Sequence, residues 1–550
     1  MKKTVFRWIA LCLVLLFVLT ACDTALPQVS DPTIQTGSSS PTEPTGPFRD
    51  LELVAFKDME YSRQDVEEMT QYQQAVLDSI EAEDDVPTLM EKVFAFYELY
   101  HNYYTGYALA NIHYNLDLTN TYWEEEYGFW MDTSSEVDAM LDQMLYALAD
   151  HPKKEELEVE EYFGEGFFDD YEGESLWDET FTALMDKEAE LQAEYYEVSG
   201  KAVDVDPYSQ EFRQTYGSQL ADIYVEMVKV RQEIAAYAGY EDYASFAYDF
   251  NFGRDYTPAQ AEKLMADIQT YLAPMYQNID YTPLYELFSS TVSENQTFLY
   301  TKSCAKNIGG ILWEAFEAME TAGLYDITYS TKKYDASFEI YISNYDEPFI
   351  FVNPGKNVQD KLTFTHEFGH FANDYASYGT SVGIDVAEFF SQGLEYLSID
   401  YATGGQKLAQ LVMVNSLCLY VEQSLYAAFE QEVYKLTGDA LTKENVYKAF
   451  EKVAEDFGFG NSIDSRNFVL VPHFFISPMY IISYVVSNDA ALQLYQLEQT
   501  EKGAGLTKYV ENLDTMEDQF LGFVQSAGLE SPFVDGRIEK VSKTFADVLE

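Results

Sequence analysis

The chain is poor in cysteine, in basic residues and in histidine, and each shortage excludes something. Four Cys occur in 550 residues, and two of them, Cys12 and Cys22, sit in an apolar leader, so Cys304 and Cys418 alone remain for the folded body. A dense disulfide framework is therefore excluded, and stability has to come from burial of a core. Lys and Arg number 33 against 94 Asp and Glu, a net charge of −61. Such a chain repels phosphate backbones, which argues against nucleic acid as a partner. Acidic side chains are dense from Glu155 to Glu174 and again at Asp58, Glu60, Asp65, Glu67 and Glu68. They solvate the surface, and a negative interior field would in addition attract cationic peptides. Repeats of fixed period are absent. The apolar stretch Val469 to Val486 contains Pro472, His473 and Pro478, which speaks against a membrane span.

What is present starts with the placement of the few histidines. Of six, two fall in His366-Glu367-Phe368-Gly369-His370. Residues at i and i+4 share a helix face, so both imidazoles can reach one ion, while Glu367 lies one step round to act as base on a water. The helix is expected from about Val358 to Ala376, because Pro354 and Gly355 prevent an earlier start. Leu362, Thr365, Gly369 and Ala372 give it a mostly small face, and His366, His370 and Asn373 or Asp374 occupy another. Glycine in mid-helix costs about 1 kcal/mol relative to Ala, so Gly369 implies close approach by a neighbour. Phe368 and Phe371 read as core. His101, His113 and His151 stand singly and read as packing or surface residues.

Two flanking segments complete the local pattern. Upstream, Ser337 to Ile342 alternates, Ser343 to Pro348 supplies turn chemistry and Phe349 to Val352 is a second apolar run, which predicts a β-hairpin. An exposed strand beside a metal helix can hold an extended peptide by backbone hydrogen bonds, although a purely structural hairpin reads the same. Downstream, a second helix is expected to begin at a capping Asp385, with Glu388, Gln392 and Glu395 along one face and Phe389, Phe390, Leu394 and Leu397 along another. A catalytic zinc needs a third protein ligand and an open fourth position. The residues alone leave Glu388 and Glu395 as alternatives for that ligand.

The N-terminus has Lys2, Lys3 and Arg7 around an apolar run from Val5 to Leu19, a secretory signal in form. The following Leu19-Thr20-Ala21-Cys22 resembles the lipobox of bacterial lipoproteins, which implies lipidation of Cys22 and anchoring at a bacterial membrane. Asp23 to about Pro47 is rich in Pro, Ser, Thr and Gly and reads as a flexible tether. From Asp50 to about Leu324 the periodicity is helical, with segments such as Tyr72 to Glu81, Leu89 to Tyr107, Ser135 to Leu148 and Gln210 to Ala236. The expected organisation is a signal over 1–21, lipidated Cys22 and linker over 22–47, an N-terminal helical lobe over 48–325 and a catalytic lobe over 326–550.

His366 to His370, with Val386-Ala387-Glu388, Ser391-Gln392 and Glu395 behind it, resembles the zinc metallopeptidases that include thimet oligopeptidase and oligoendopeptidase F. The resemblance favours Glu388 as third ligand and gives Glu395 a supporting place. Ala427-Ala428-Phe429-Glu430 resembles the family's segment before its C-terminal substrate loop, and Pro472-His473-Phe474 with Tyr480 and Tyr484 resembles its late His and Tyr motif. The likeness covers roughly Ser337 to Leu494 and departs where Asn373 stands in place of a frequent further His. Physical chemistry gives the late motif a role of its own: negative charge develops on the scissile carbonyl oxygen, and a His or Tyr donor aimed there lowers the barrier. His473 and Tyr480 are the candidates, with Tyr484 as alternative. The resemblance implies a mainly α, two-lobed helical metallopeptidase with a deep central channel and a small β-hairpin beside the metal helix. It implies one zinc ion per chain, short peptides as substrates, Glu367 as general base and, by the leader, an extracytoplasmic, lipid-anchored protein, read as a monomer. A catalytically inactive peptide-binding lipoprotein, or a zinc exopeptidase, is the competing expectation.

Overall fold

The computed structural model describes residues 53–549 other than 160, 161, 172, 174, 203, 204, 380 and 381. The leader, Cys22 and the tether to Pro47 lie outside the described residues. The first part of the chain is helical. Helices α1 (Val66–Glu81), α2 (Val86–Leu116) and α3 (Thr121–Ala149) pack on one another. Each begins where a polar side chain, Asp65, Asp85 or Asn120, accepts first-turn backbone N–H groups. These caps lie upstream of the apolar periodicity, so the helices start earlier than periodicity alone suggests. The segment expected from Gln210 to Ala236 is interrupted: a wide turn over Arg213–Gly217 precedes α5 (Ser218–Tyr237), which packs against α4 (Glu179–Ala202).

After α6 (Glu294–Ile308) the chain forms a sheet. Strand β1 is Tyr325–Asp326, β2 is Ser337–Ile342 and β3 is Glu347–Val352, in spatial order β1-β3-β2. The expected hairpin is β2 and β3, antiparallel with Ser337 opposite Val352 and Ile342 opposite Glu347. Strand β1 adds in parallel to β3; two residues carry no periodicity by which a strand could be read. Central β3 is buried along its whole length, which is why Phe349 to Val352 is continuously apolar.

The second part is built on α7 (Gln359–Ser377), α8 (Ile384–Tyr401), α9 (Ala409–Tyr434), α10 (Ile482–Thr500) and α11 (Ala504–Glu511). Helix α8 lies between α7 and α10, and α7 also packs on β2, β3 and α6. Helix α7 falls within one residue of its expected bounds at each end. Its entry is fixed by Asp360, whose carboxylate accepts the N–H groups of Gly355 (2.9 Å) and Asn357 (3.1 Å). Phe368 and Phe371 are fully buried. One local expectation is overturned: the cap of α8 is Gly383, with no side-chain hydrogen bond, and Asp385 points elsewhere, to Arg254 and Tyr256. The N–H groups of Val386 and Ala387 are already bonded to the Gly383 carbonyl, and the buried guanidinium makes the stronger, charge-assisted partner for that carboxylate. Among the described residues no helix is long and apolar enough to cross a membrane.

Candidate active site

The site is made where α7 and α8 touch. A β-carbon on Gly369 would lie 2.5 Å from the carbonyl oxygen of Phe390 and 2.6 Å from the Cα of Ser391, so the two backbones meet there with no room for a side chain. This contact brings the polar face of α8 onto His366 and His370. His366 Nε2 is 3.5 Å and His370 Nε2 3.9 Å from Glu388 Oε2, and the three donors all lie within 4.8 Å of one another. Glu395, about two turns further along α8, takes the other side of His366, with Nδ1 and Oε1 2.9 Å apart.

This donor set fits a divalent ion. Tetrahedral coordination with bonds of about 2.0–2.1 Å sets ligand atoms about 3.4 Å apart, close to the separations found, and three protein donors leave a fourth position for water or substrate. His366 Nε2 is buried and has no hydrogen-bond partner, as a nitrogen whose lone pair faces an ion would be. Glu388 is fully buried, and its Oε2 accepts from Ser391 Oγ at 3.0 Å while Oε1 accepts from Tyr480 at 3.2 Å.

Glu367 is fully buried and neither carboxylate oxygen has a hydrogen-bond partner. Burial pushes its carboxyl up to about 8, with the charges of Glu388 and Glu395 adding to the rise and that of His366 opposing it. Burial also works against charge on His366, but the hydrogen bond it donates to Glu395 and the carboxylates of Glu388 and Glu367 carry its pKa up to about 9. His370 lacks such a partner, and burial brings it down to about 4. From the sheet side, β2 presents Glu339, whose carboxyl is raised well above the usual range by burial and then by Asp374 and Glu367. A cavity of about 100 Å³ adjoins the group, lined in part by His366, Glu367, Gln392, Glu395, Tyr484 and Asn488.

The late motif reaches the same place. His473 is buried, its Nε2 lies 3.3 Å from the Tyr484 hydroxyl, and burial lowers its pKa to about 4. The rings of His473, Tyr480 and Tyr484 form a cluster with centroids 5.2–5.9 Å apart. Tyr480 is the tyrosine bonded to Glu388, and Tyr484 the one bonded to His473. Thus His366, Glu367, Gly369, His370, Glu388, Glu395, His473, Tyr480 and Tyr484 are all brought together, whereas Cys22 lies outside the described residues. Asn373 turns away and donates to the Leu513 carbonyl at 2.8 Å. His113 stacks on Trp123 with centroids 4.3 Å apart, and His151 accepts from the Lys153 N–H at 3.2 Å, both remote packing roles.

Sequence reasoning missed Arg254 and Arg231, two buried arginines from the first part of the chain that bond the backbone around His473 and Tyr480. Scarcity of basic residues in so acidic a chain was the one available signal. Ser391 is three residues after Glu388, so its bond to that carboxylate follows from helix spacing.

The fold defined by these elements is that of the oligoendopeptidase F structures. Over 90% of this chain it superposes on a putative oligoendopeptidase F (98% of that chain, TM-score 0.77, 19% identity). It likewise superposes on a putative oligoendopeptidase F from Bacillus anthracis str. Ames (98% of that chain, 90% of this one, TM-score 0.74, 20% identity). Residues 56–176 match the Peptidase M3 N-terminal domain. The chain is also similar to Oligopeptidase PepF of Bacillus subtilis (strain 168), 26% identical over 226 residues, 37% of this chain. That match spans 33% of the relative's length. Together these likenesses support an M3-family peptidase.

Proposed function

We propose that the chain is a zinc-dependent oligoendopeptidase that hydrolyses internal bonds of short peptides, held outside a bacterial membrane by a lipid on Cys22. The observation that carries this reading is Glu367: a fully buried carboxylate with neither oxygen hydrogen-bonded, beside the convergent donors of His366, His370 and Glu388. A group so costly to bury without partners is retained where it has work to do on a water or substrate. His366, His370 and Glu388 would hold the ion. Zinc, when bound there, supplies Lewis-acid polarisation of water and carbonyl.

Glu367 takes the proton of the attacking water and later passes it to the leaving amine. Tyr480 and His473 donate to the carbonyl oxygen as it gains negative charge, each such donor being worth about 100- to 1,000-fold in rate. Tyr480 has the hydroxyl already beside Glu388; Tyr484, which lines the cavity, is the alternative. An extended substrate can lie along edge strand β2. Burial of the catalytic groups favours short, unfolded peptides over folded proteins. The charged and apolar leader followed by Leu-Thr-Ala-Cys22 supports the extracytoplasmic anchor.

The test is an internally quenched peptide with both ends blocked, incubated with the zinc-loaded protein, its products mapped by mass. Cleavage should stop on chelation and return with zinc, and Glu367→Gln should keep one zinc per chain while losing turnover by about three orders of magnitude or more. Turnover by Glu367→Gln, or cleavage that requires a free peptide end, would overturn the endopeptidase reading.

A further inference from the structure

The segment that presents His473 and Tyr480 has little regular structure of its own. The short helix His473–Ile476 is followed by Ser477, Pro478 and Met479, and Met479 has φ of 68°, left-handed backbone that a β-carbon disfavours. Its support comes from elsewhere in the chain. Arg254 lies between α5 and the helix Pro258–Tyr271, and its side chain is 1% exposed. It donates from Nη1 to the Met479 carbonyl at 2.9 Å and from Nη2 to the Tyr480 carbonyl at 3.4 Å and Ser483 Oγ at 2.7 Å. Its Nε donates to Asp385 Oδ2 at 3.3 Å.

Other groups hold the same assembly from behind. Glu430 Oε1, on α9, accepts the N–H of Met479 at 2.9 Å, so the strained residue is gripped by both its N–H and its carbonyl. Tyr256 donates to the same Asp385 oxygen at 2.8 Å, and the rings of Phe252 and Tyr248 lie 4.4 and 4.5 Å from the guanidinium. Arg231 on α5 repeats the pattern a few residues earlier, bonding the carbonyls of Phe474 and Phe475. Asp385 stands three residues before Glu388 on α8. One planar cation thus ties the helix of the metal-site carboxylate to the backbone of the tyrosine that donates to it, a task for which a rigid fork of five donors suits and an ammonium does not.

We infer that Arg254 is a positioning residue for peptide hydrolysis: it sets the Tyr480 hydroxyl relative to Glu388. The inference rests on the peptidase reading above, and its test separates the two. Steady-state kinetics are measured on zinc-loaded full chain for Arg254→Lys, Tyr480→Phe and the double variant. Misplacement of the donor by about 1 Å should lower kcat by about 10- to 100-fold with KM and zinc content unchanged. In the Tyr480→Phe background the same Arg254→Lys change should cost less than about 3-fold, because the group it positions is already gone. Full multiplication of the two losses, an unchanged kcat, or loss of zinc with the activity would overturn the inference.

A second readout needs no catalysis. In Arg254→Lys, amide hydrogen exchange over 477–484 should quicken by about 10-fold or more while α7, α8 and the rest of α10 keep their protection. Unchanged exchange in that segment, or quickening throughout the chain, would equally overturn it. Should Arg254→Lys not fold, Glu430→Gln, which keeps an acceptor for Met479 but weakens it, takes its place with the same two readouts and a smaller expected change. If the wild type cleaves no peptide, the functional reading falls while the exchange result still decides whether Arg254 holds the segment.

Discussion

Removing the carboxylate behind His366 is the most discriminating perturbation of the metal site. The His366 Nδ1 to Glu395 Oε1 separation of 2.9 Å is that of a charge-assisted hydrogen bond. With Nδ1–H donated to Glu395, the Nε2 lone pair is left facing Glu388, which fixes the ring orientation and raises the ligand's basicity. Supporting groups of this kind are worth about 10- to 100-fold in metal affinity, about 1.4–2.8 kcal/mol. The Glu395 side chain is 21% exposed, so water can partly replace it. Glu395→Gln keeps a neutral acceptor in place and should weaken zinc binding by about 3- to 10-fold; Glu395→Ala, with no acceptor, should reach about 10- to 100-fold. The assay is competition with a chromogenic chelator at fixed pH, with the circular dichroism of each variant recorded to confirm an unchanged helical fold. Equal affinity in wild type and Glu395→Ala, with the fold intact, would refute the claim that this carboxylate orients the ligand, as would a larger loss in Gln than in Ala.

Two further perturbations test packing and burial. Gly369→Ala places a β-carbon where 2.5 Å separates it from the Phe390 carbonyl oxygen; overpacking of about 1–3 kcal/mol should outweigh the helix-propensity gain of about 1 kcal/mol. Thermal unfolding should come earlier and zinc should bind more weakly, since α7 and α8 are pushed apart; a more stable variant with unchanged zinc affinity would contradict the backbone contact. Glu422 is buried on α9, accepts from Tyr276 at 2.6 Å, and is pushed up to about 8 by its burial. A carboxyl whose folded pKa lies above its unfolded one stabilises below the unfolded value, near 4.5, and that contribution is lost as pH rises towards 8. Glu422→Gln should therefore unfold like wild type near pH 4.5 and be more stable by about 2–4 kcal/mol above pH 8, read by denaturant titration at both pH values; a pH-independent difference would refute it.

Residues close in sequence were legible because one helix or one hairpin relates them by a fixed period. His366 and His370 fall one turn apart, with Glu367 beside the first, whatever surrounds α7, and the apolar runs of β2 and β3 flank turn residues that bring them back antiparallel. Gly369 announced a close neighbour because nothing local needs a glycine there. Even the three-residue spacing of Glu388 and Ser391 belongs to this class. The cap at Asp385 was misread for the opposite reason: locally it is a good N-cap, and only a guanidinium arriving from residue 254 makes the other use stronger.

The choice between Glu388 and Glu395 is of a different kind. Both lie on one face of α8, and the spacing makes them equivalent until the crossing at Gly369 sets one carboxylate at the two Nε2 atoms and the other at Nδ1 of His366. The same holds for Tyr480 and Tyr484, one turn apart, of which the folded chain gives the first to Glu388 and the second to His473. Period and side-chain chemistry dictate which groups share a face; which atom meets which is decided by where long-range burial lets two backbones touch, and that distance appears nowhere in the order of residues.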